Sequence, residues 1–332
     1  MSTGTTTPAR GPYFDELTRG QVFDTAPGVT LTSGGAATHQ AILGDRLALA
    51  TDHELGRRLS GRGPLAHPGY VWDVSIGQST LATHFVKANL FYRGLAFRRF
   101  PVLGDTLSTV TTVVGLKQNT PREGRPLTGL AALRITTVDQ HGTAVLDFHR
   151  CAMLPLSPGA GPTEDADDLS QLGSESTDDP SVLDSLDLDA VPAAFGPPPE
   201  PGTVIEVIGG DVVSSAPELA RLTLNVAQVH HDARAGGGRR LVYGGHTIGL
   251  AAAQASRALP GLLTFVGWRS CDHTGPVHEG DTLRSTVTVD DVRPGPAGTH
   301  LLDLRSLVTA DALEAEGEAR PVLDWHYTVW SR

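Results

Sequence analysis

PVLGDTLSTVTTV, beginning at Pro101, returns as PVHEGDTLRSTVTV at Pro276, so that Asp105 corresponds to Asp281. VLDFH at Val145–His149 likewise returns as VLDWH at Val322–His326, and the two offsets, 176 and 177 residues, nearly agree. Two collinear matches at almost one spacing indicate a duplicated domain, so whatever architecture the chain adopts it must adopt twice. The boundaries that follow are a first domain over 1–160, a connecting stretch over 161–200 and a second domain over 201–332. A hydrophobic share of 39% in 332 residues leaves enough apolar surface for two packed cores.

Each half opens with a helical candidate, His67 to about Phe85 and Gly244 to about Leu259. Both are dominated by small and apolar residues all round, the pattern of a helix enclosed by other elements and not of a surface helix. Alternating Thr- and Val-rich runs bounded by Gly, Pro and Asp follow: DTLSTVTTVVGL, TGLAALRITTV and AVLDFHRCAML in the first half, and LLTFVGWRS, DTLRSTVTVDDV, HLLDLRSLVTA and PVLDWHYTVW in the second. One buried helix with a long antiparallel sheet makes each half an α+β domain. Two such domains are expected to pair their sheets edge to edge, covering strands otherwise open to association.

The net charge of -11 is local. Residues 161–200 carry eleven acidic side chains and no Lys or Arg, so the remainder balances. The same stretch is rich in Pro, Ser and Gly and poor in aromatics, the composition of a solvated tether. No basic stripe stands out on either side of it, which argues against a nucleic-acid partner. The N-terminal MSTGTTTPARGPYF has no apolar h-region and no stretch reaches the length of a membrane span, so a cytoplasmic protein is expected. Cys151 and Cys271, the two cysteines, lack metal-ligand spacing, and neither a zinc site nor a disulfide framework is expected.

Chemistry concentrates between Asn225 and His246, NVAQVHHDARAGGGRRLVYGGH. A histidine exchanges a proton near neutral pH, and the start of a helix presents unpaired N–H groups to developing negative charge. Together these suit addition next to a carbonyl. Taken alone the segment is ambiguous, because histidine pairs are common on surfaces and Gly-Gly before a helix can be a plain turn.

YFDELTRGQVF near Tyr13, GDRLAL at Gly44, GDTLSTVTTVVGLKQN at Gly104, VLDFHR at Val145 and the Asn225 segment together resemble the MaoC-like hydratases and dehydratases of the hot-dog fold. The resemblance is greatest to their double hot-dog branch, which includes mesaconyl-CoA hydratase (β-methylmalyl-CoA dehydratase), and it covers most of both halves. It implies a tandem hot-dog fold, each half a long antiparallel sheet wrapped around a central helix, and reversible hydration of a 2-enoyl-CoA without cofactor or metal. His230 takes the family's histidine position and Gly244 the glycine whose N–H polarises the thioester carbonyl. Asn225 stands where the wider family has aspartate, and where this branch also carries asparagine. Arg46, Arg239 and Arg240 match arginines of the branch: Arg46 suits an acyl carboxylate through a bidentate contact, and Arg239 and Arg240 suit either the acyl carboxylate or the CoA phosphates; Tyr243 and Gly245 flank the motif glycine as substrate-binding positions.

GDRLALATD imitates the motif in the first half, with Asp45 at the aspartate position and Ala50 where histidine belongs. That half therefore reads as the degenerate copy shaping the acyl pocket, with Asp45 a remote candidate for the missing carboxylate. His231, Asp232 and His246 read as structural, and His67, His149, His273 and His326 show no clustering. The resemblance leaves open a dehydratase of a fatty-acid or secondary-metabolite pathway, a hot-dog thioesterase, and a non-catalytic acyl-thioester-binding subunit. Two hot-dog units in one chain satisfy the usual hot-dog pairing, and a homodimer of such chains is a further expectation.

Overall fold

The structure, a computed structural model, describes residues 9–174, 179–191, 196–312 and 319–332. Four long strands form in the first half, β1 (Ala88–Phe97), β2 (Thr106–Gln118), β3 (Thr128–Val138) and β4 (Ala144–Pro155). Four more follow in the second, β5 (Leu262–His273), β6 (Thr282–Pro294), β7 (His300–Asp311) and β8 (Arg320–Ser331). They lie in the order β2-β3-β4-β1-β5-β8-β7-β6, with every neighbouring pair antiparallel. Short strands cover both outer edges: Val22–Phe23 and Val29–Thr30 on β2, Val204–Glu206 and Asp211–Val212 on β6. The α+β tandem hot-dog arrangement expected from the sequence is the one adopted.

The halves meet where β1 pairs with β5, Tyr92 opposite Cys271 and Leu95 opposite Trp268. β1 is absent from the sequence-based strand set for a physical reason. Register shifts between Asn89 and Phe91 and between Arg93 and Ala96, with Gly94 at φ 63°, destroy the two-residue alternation that marks the other strands. This seam strand contributes Ala88, Asn89 and Tyr92 to the wall of a cavity.

The central helices are α1 (Pro68–Gln78) and α2 (Gly244–Ala258). Every residue of α1 is buried, as is α2 from Gly245 to Ser256. α1 stops earlier than its apolar pattern suggests because Ser79 and Thr80 turn their hydroxyls back onto the carbonyls of Ile76 and Gly77, at 2.6 Å each, and the chain tightens into a 3-10 turn. The duplication is visible bond by bond. Gln78 Nε2 donates to the Leu107 carbonyl at 3.0 Å and Gln254 Nε2 to the Leu283 carbonyl at 3.0 Å, pinning each helix to the matching strand. Asp105 accepts from the Val102 amide (3.0 Å) as Asp281 does from that of His278 (2.9 Å), closing the same turn before each GDTL strand. One aromatic cluster joins the halves: Trp72 of α1 packs edge-on against Trp268 of β5, ring centroids 4.8 Å apart.

The acidic stretch expected to be a solvated tether is held against the first half at several points. Ala166 bridges to Lys117, Asp167 exchanges backbone and side-chain bonds with Leu116, and Val182 and Leu183 are buried. Its residues 175–178 and 192–195 lie outside the described residues, as do residues 1–8 of the N-terminal stretch. Cys151 and Cys271 are both free and buried. Among the described residues no helix is long and apolar enough to cross a membrane, and no three His, Cys, Asp or Glu side chains are grouped to hold a metal.

Candidate active site

The helix Ala216–Leu222 ends in Thr223, and Leu224 then takes φ 59°, a left-handed conformation uncommon without glycine. The turn delivers Asn225, 3% exposed, to the wall of a cavity of about 250 Å³. Its Oδ1 accepts the Ala227 N–H at 3.0 Å. That bond fixes the amide's orientation, so Nδ2 is a donor, and it is buried with no protein partner.

Five residues on, a 3-10 turn sets His230 on the same wall. Its Nδ1 lies 2.8 Å from the Leu241 carbonyl. A carbonyl only accepts, so Nδ1 carries the proton and Nε2 the lone pair. Burial pushes the imidazole down to about 4, with the charges of His231 and Arg150 adding in the same direction. His230 is therefore neutral and basic at Nε2 throughout the physiological range.

α2 begins at Gly244, also on the cavity wall. Tyr243 before it makes no side-chain cap; its carbonyl takes the His246 amide at 2.9 Å, and the Gly244 and Gly245 amides, which have no partner in the helix, are left to meet negative charge. A Cβ at 244 would lie 2.6 Å from His273 Nε2, which accounts for glycine there. Tyr243 lines the cavity through its ring and donates its hydroxyl to Asp73 Oδ1 at 3.0 Å, while Asp73 Oδ2 faces His39 Nε2 at 3.0 Å. This buried chain, reaching across from α1, fixes the start of α2.

The corresponding place in the first half is built differently. Pro68 occupies the position of Gly244 and has no N–H, and His67 Nδ1 caps the helix by accepting the Gly69 amide at 2.8 Å. Asp45 is buried against His67, 2.9 Å from its Nε2, and accepts the Leu47 amide. Asp45 is thus committed within its own half and does not line the cavity, which answers the expectation that it might supply the missing carboxylate. What the first half lends to the cavity is wall: Thr80 and Thr83 after α1, Ala88, Asn89 and Tyr92 of β1, and Arg150 of β4.

Of the residues singled out from sequence, Asn225, His230, Tyr243 and Gly244 come together here. Four do not. Arg46 and Arg239 are exposed, Arg240 is paired with Glu279 at 2.5 Å, and Gly245 packs between Asp73 and the Tyr243 ring. None of these four lines the cavity. His231 bonds the Asn225 carbonyl at 2.6 Å, and Asp232 accepts the Arg234 amide, closing the turn. Sequence reasoning missed Arg150 and His273, both on the wall. The signal for Arg150 lies in the repeat itself, since VLDFHR ends in arginine where VLDWHY ends in Tyr327.

His230, His246 and His273 are each pushed down to about 4, in every case chiefly by burial. Between pH 6.5 and about 4 the unfolded chain binds protons at these positions that the folded chain refuses, so stability falls as pH drops through that window. The urea midpoint at pH 5 is expected below that at pH 7; equal midpoints would contradict buried neutral imidazoles.

No family model matches the chain. It is 28% identical to β-methylmalyl-CoA dehydratase of Chloroflexus aurantiacus, over 96% of each chain, and 28% identical to mesaconyl-CoA hydratase of Cereibacter sphaeroides, over 89% of this chain and 88% of that one. Among solved structures it resembles a conserved Mycobacterium tuberculosis protein with a double hot-dog fold at 53% identity, covering 97% of this chain and 99% of the other, with a TM-score of 0.91. A second, described as a MaoC domain dehydratase from Chloroflexus aurantiacus, is 26% identical over 98% and 99%, with a TM-score of 0.83. With one competent helix start, a neutral histidine and a two-fold repeated fold, the chain is a double hot-dog protein, similar along its whole length to MaoC-like hydratases and dehydratases, which are hydro-lyases.

Proposed function

We propose that the chain reversibly adds water across the C2=C3 bond of a 2-enoyl-CoA, with mesaconyl-CoA to β-methylmalyl-CoA, or a close analogue, as the reaction. The observation that carries this reading is the convergence of His230 and the open start of α2 on one cavity. His230 Nε2 takes a proton from water as its oxygen bonds C3; the π electrons move to C2 and onto the thioester oxygen. The Gly244 N–H stabilises that enolate, as preorganised donors do for developing oxyanions. The imidazolium then returns its proton to C2 on the same face, and atoms balance as one water added. Asn225 Nδ2, a donor in search of an acceptor, orients the water or the thioester oxygen.

In this reading the first half is the degenerate copy. Pro68 deprives it of the amide that Gly244 supplies, and Ala50 of the base. A groove of about 630 Å³ lined by Arg122 and Arg125 shares Lys87 with the cavity, which supports a phosphate-bearing CoA tail leaving by that route.

Incubation with mesaconyl-CoA or crotonyl-CoA is expected to bleach the enoyl-thioester absorbance without releasing free thiol. Thiol release in step with the absorbance change would make it a thioesterase instead. Thermal stabilisation by the thioester with neither signal would make it a binding subunit.

A further inference from the structure

We infer that Arg150 is the residue that selects the acyl group, and that it does so by holding a carboxylate on the C3 side of the substrate double bond. The inference rests on the hydratase reading and adds to it the residue that recognises the far carboxylate of a 2-enedioyl thioester.

Arg150 sits on β4 with 3% of its surface exposed, on the wall that holds His230, Tyr243 and Gly244. Its Nη2 donates to Thr83 Oγ1 at 2.5 Å and to the Ser79 carbonyl at 3.3 Å, the Tyr92 side chain also meets the guanidinium, all of these partners are neutral, and its Nε is buried without a partner. Other arginines in this chain meet acids: Arg93 with Asp272, Arg99 with Asp105 and Asp139, Arg257 with Asp211, Arg305 with Asp324. Among the described residues no carboxylate lies within ion-pair distance of Arg150. Asp73, on the neighbouring helix, is already engaged by Tyr243 and His39.

A guanidinium does not shed its proton in a protein, so this charge is present and uncompensated. A buried charge is costly unless it is paired and hydrogen-bonded. The missing anion must come from what enters the cavity. The cavity's small size places a short acyl group with its thioester at Gly244 and its far end still within the same walls as Arg150. Water and CoA phosphates do not meet the need, the first because it carries no charge and the second because they belong at the far end of the cofactor tail. The clamp expected at Arg46 or at Arg239 and Arg240 is thus relocated to Arg150. A carboxylate bound there would also offset one of the charges that hold His230 low, strengthening the base only when the dicarboxylic substrate is in place.

Mesaconyl-CoA and crotonyl-CoA, which carry carboxylate and methyl at C3, separate the possibilities. The wild type is expected to favour mesaconyl-CoA, and Arg150→Met to lose at least about 100-fold in kcat/KM for it, as removal of one partner of a buried charge pair does, and to lose far less on crotonyl-CoA, so that the preference between the two collapses. Equal losses on both substrates, or no loss on either, overturn the assignment. Should Arg150→Met fail to fold, calorimetric binding of succinyl-CoA against butyryl-CoA to the wild type decides without turnover: tighter succinyl-CoA binding supports the clamp, and equal affinities overturn it. A wild type that hydrates crotonyl-CoA but not mesaconyl-CoA sinks the clamp and leaves the hydratase standing. A wild type that hydrates neither, yet prefers succinyl-CoA, sinks the hydratase and leaves the clamp.

Discussion

Replacement of His230 by alanine is expected to lower hydration kcat by about two to four powers of ten, the usual contribution of a positioned general base, in a protein that still folds. The fold should survive because the loop has other ties: the Leu241 amide donates to the Val229 carbonyl at 3.0 Å, and the His231 and Asp232 amides both donate to the Gln228 carbonyl. His230→Gln makes a useful companion. Its side-chain amide can still donate to the Leu241 carbonyl that Nδ1 now serves, but it has no basic nitrogen, so it separates loop geometry from proton transfer. Both variants should show that loss with unchanged circular dichroism. The wild type should keep its kcat/KM as pH falls through 6 and lose it only toward about 4, because the unprotonated imidazole is the active form and burial has moved its titration there. An acid limb near 6.5, or an active His230→Ala, would show that another group removes the proton.

How much of this was legible beforehand differs from residue to residue. GDTL and VLDFH/VLDWH revealed the duplication because each repeat residue does the same local work twice; Asp105 and Asp281 close identical turns. His230 and Gly244 were legible because their chemistry depends on neighbours in sequence. Arg150 was not, since its meaning lies in lacking a partner, and pairing between strands is a property of the folded sheet. Arg240 shows the converse. Its sequence context suggested substrate, but Glu279, thirty-nine positions away, claims it. Strand β1 escaped because bulges erased its alternation, although the seam it forms carries Asn89 and Tyr92 into the cavity. Pro68 was visible in the sequence as an ordinary helix starter. Its consequence appears only beside Gly244, the matching position of the second half: proline there has no amide to offer, whatever Gly244 does with its own.

Gly77→Ala is expected to destabilise the protein by about 1–3 kcal/mol, the usual range for overpacking, and to cut activity by about 100-fold although the residue touches no part of the cavity. In an open helix this change would be favourable by up to about 1 kcal/mol, since alanine is the better helix former. Space reverses the sign. A Cβ on Gly77 would lie 1.7 Å from the Thr223 carbonyl oxygen and 2.6 Å from its carbon, both backbone atoms that no rotamer change can move aside. α1 cannot retreat, because it is buried on every side and pinned by Gln78 to Leu107. The segment that must give way is therefore Thr223 to Asn225, where Leu224 already holds a left-handed φ and the Val226 amide is tied to Thr80 Oγ1 at 2.9 Å. A shift of that segment moves Asn225 Nδ2 with it, and an ångström of misplacement at a donor is enough to cost two powers of ten. Gly34→Ala supplies the control, for it makes the same exchange in a helix where the nearest atom to the new Cβ is 4.0 Å away, and stability should hold or rise. If Gly77→Ala matches that control in melting temperature and in turnover, the tight contact between α1 and the Asn225 segment is not what positions the site.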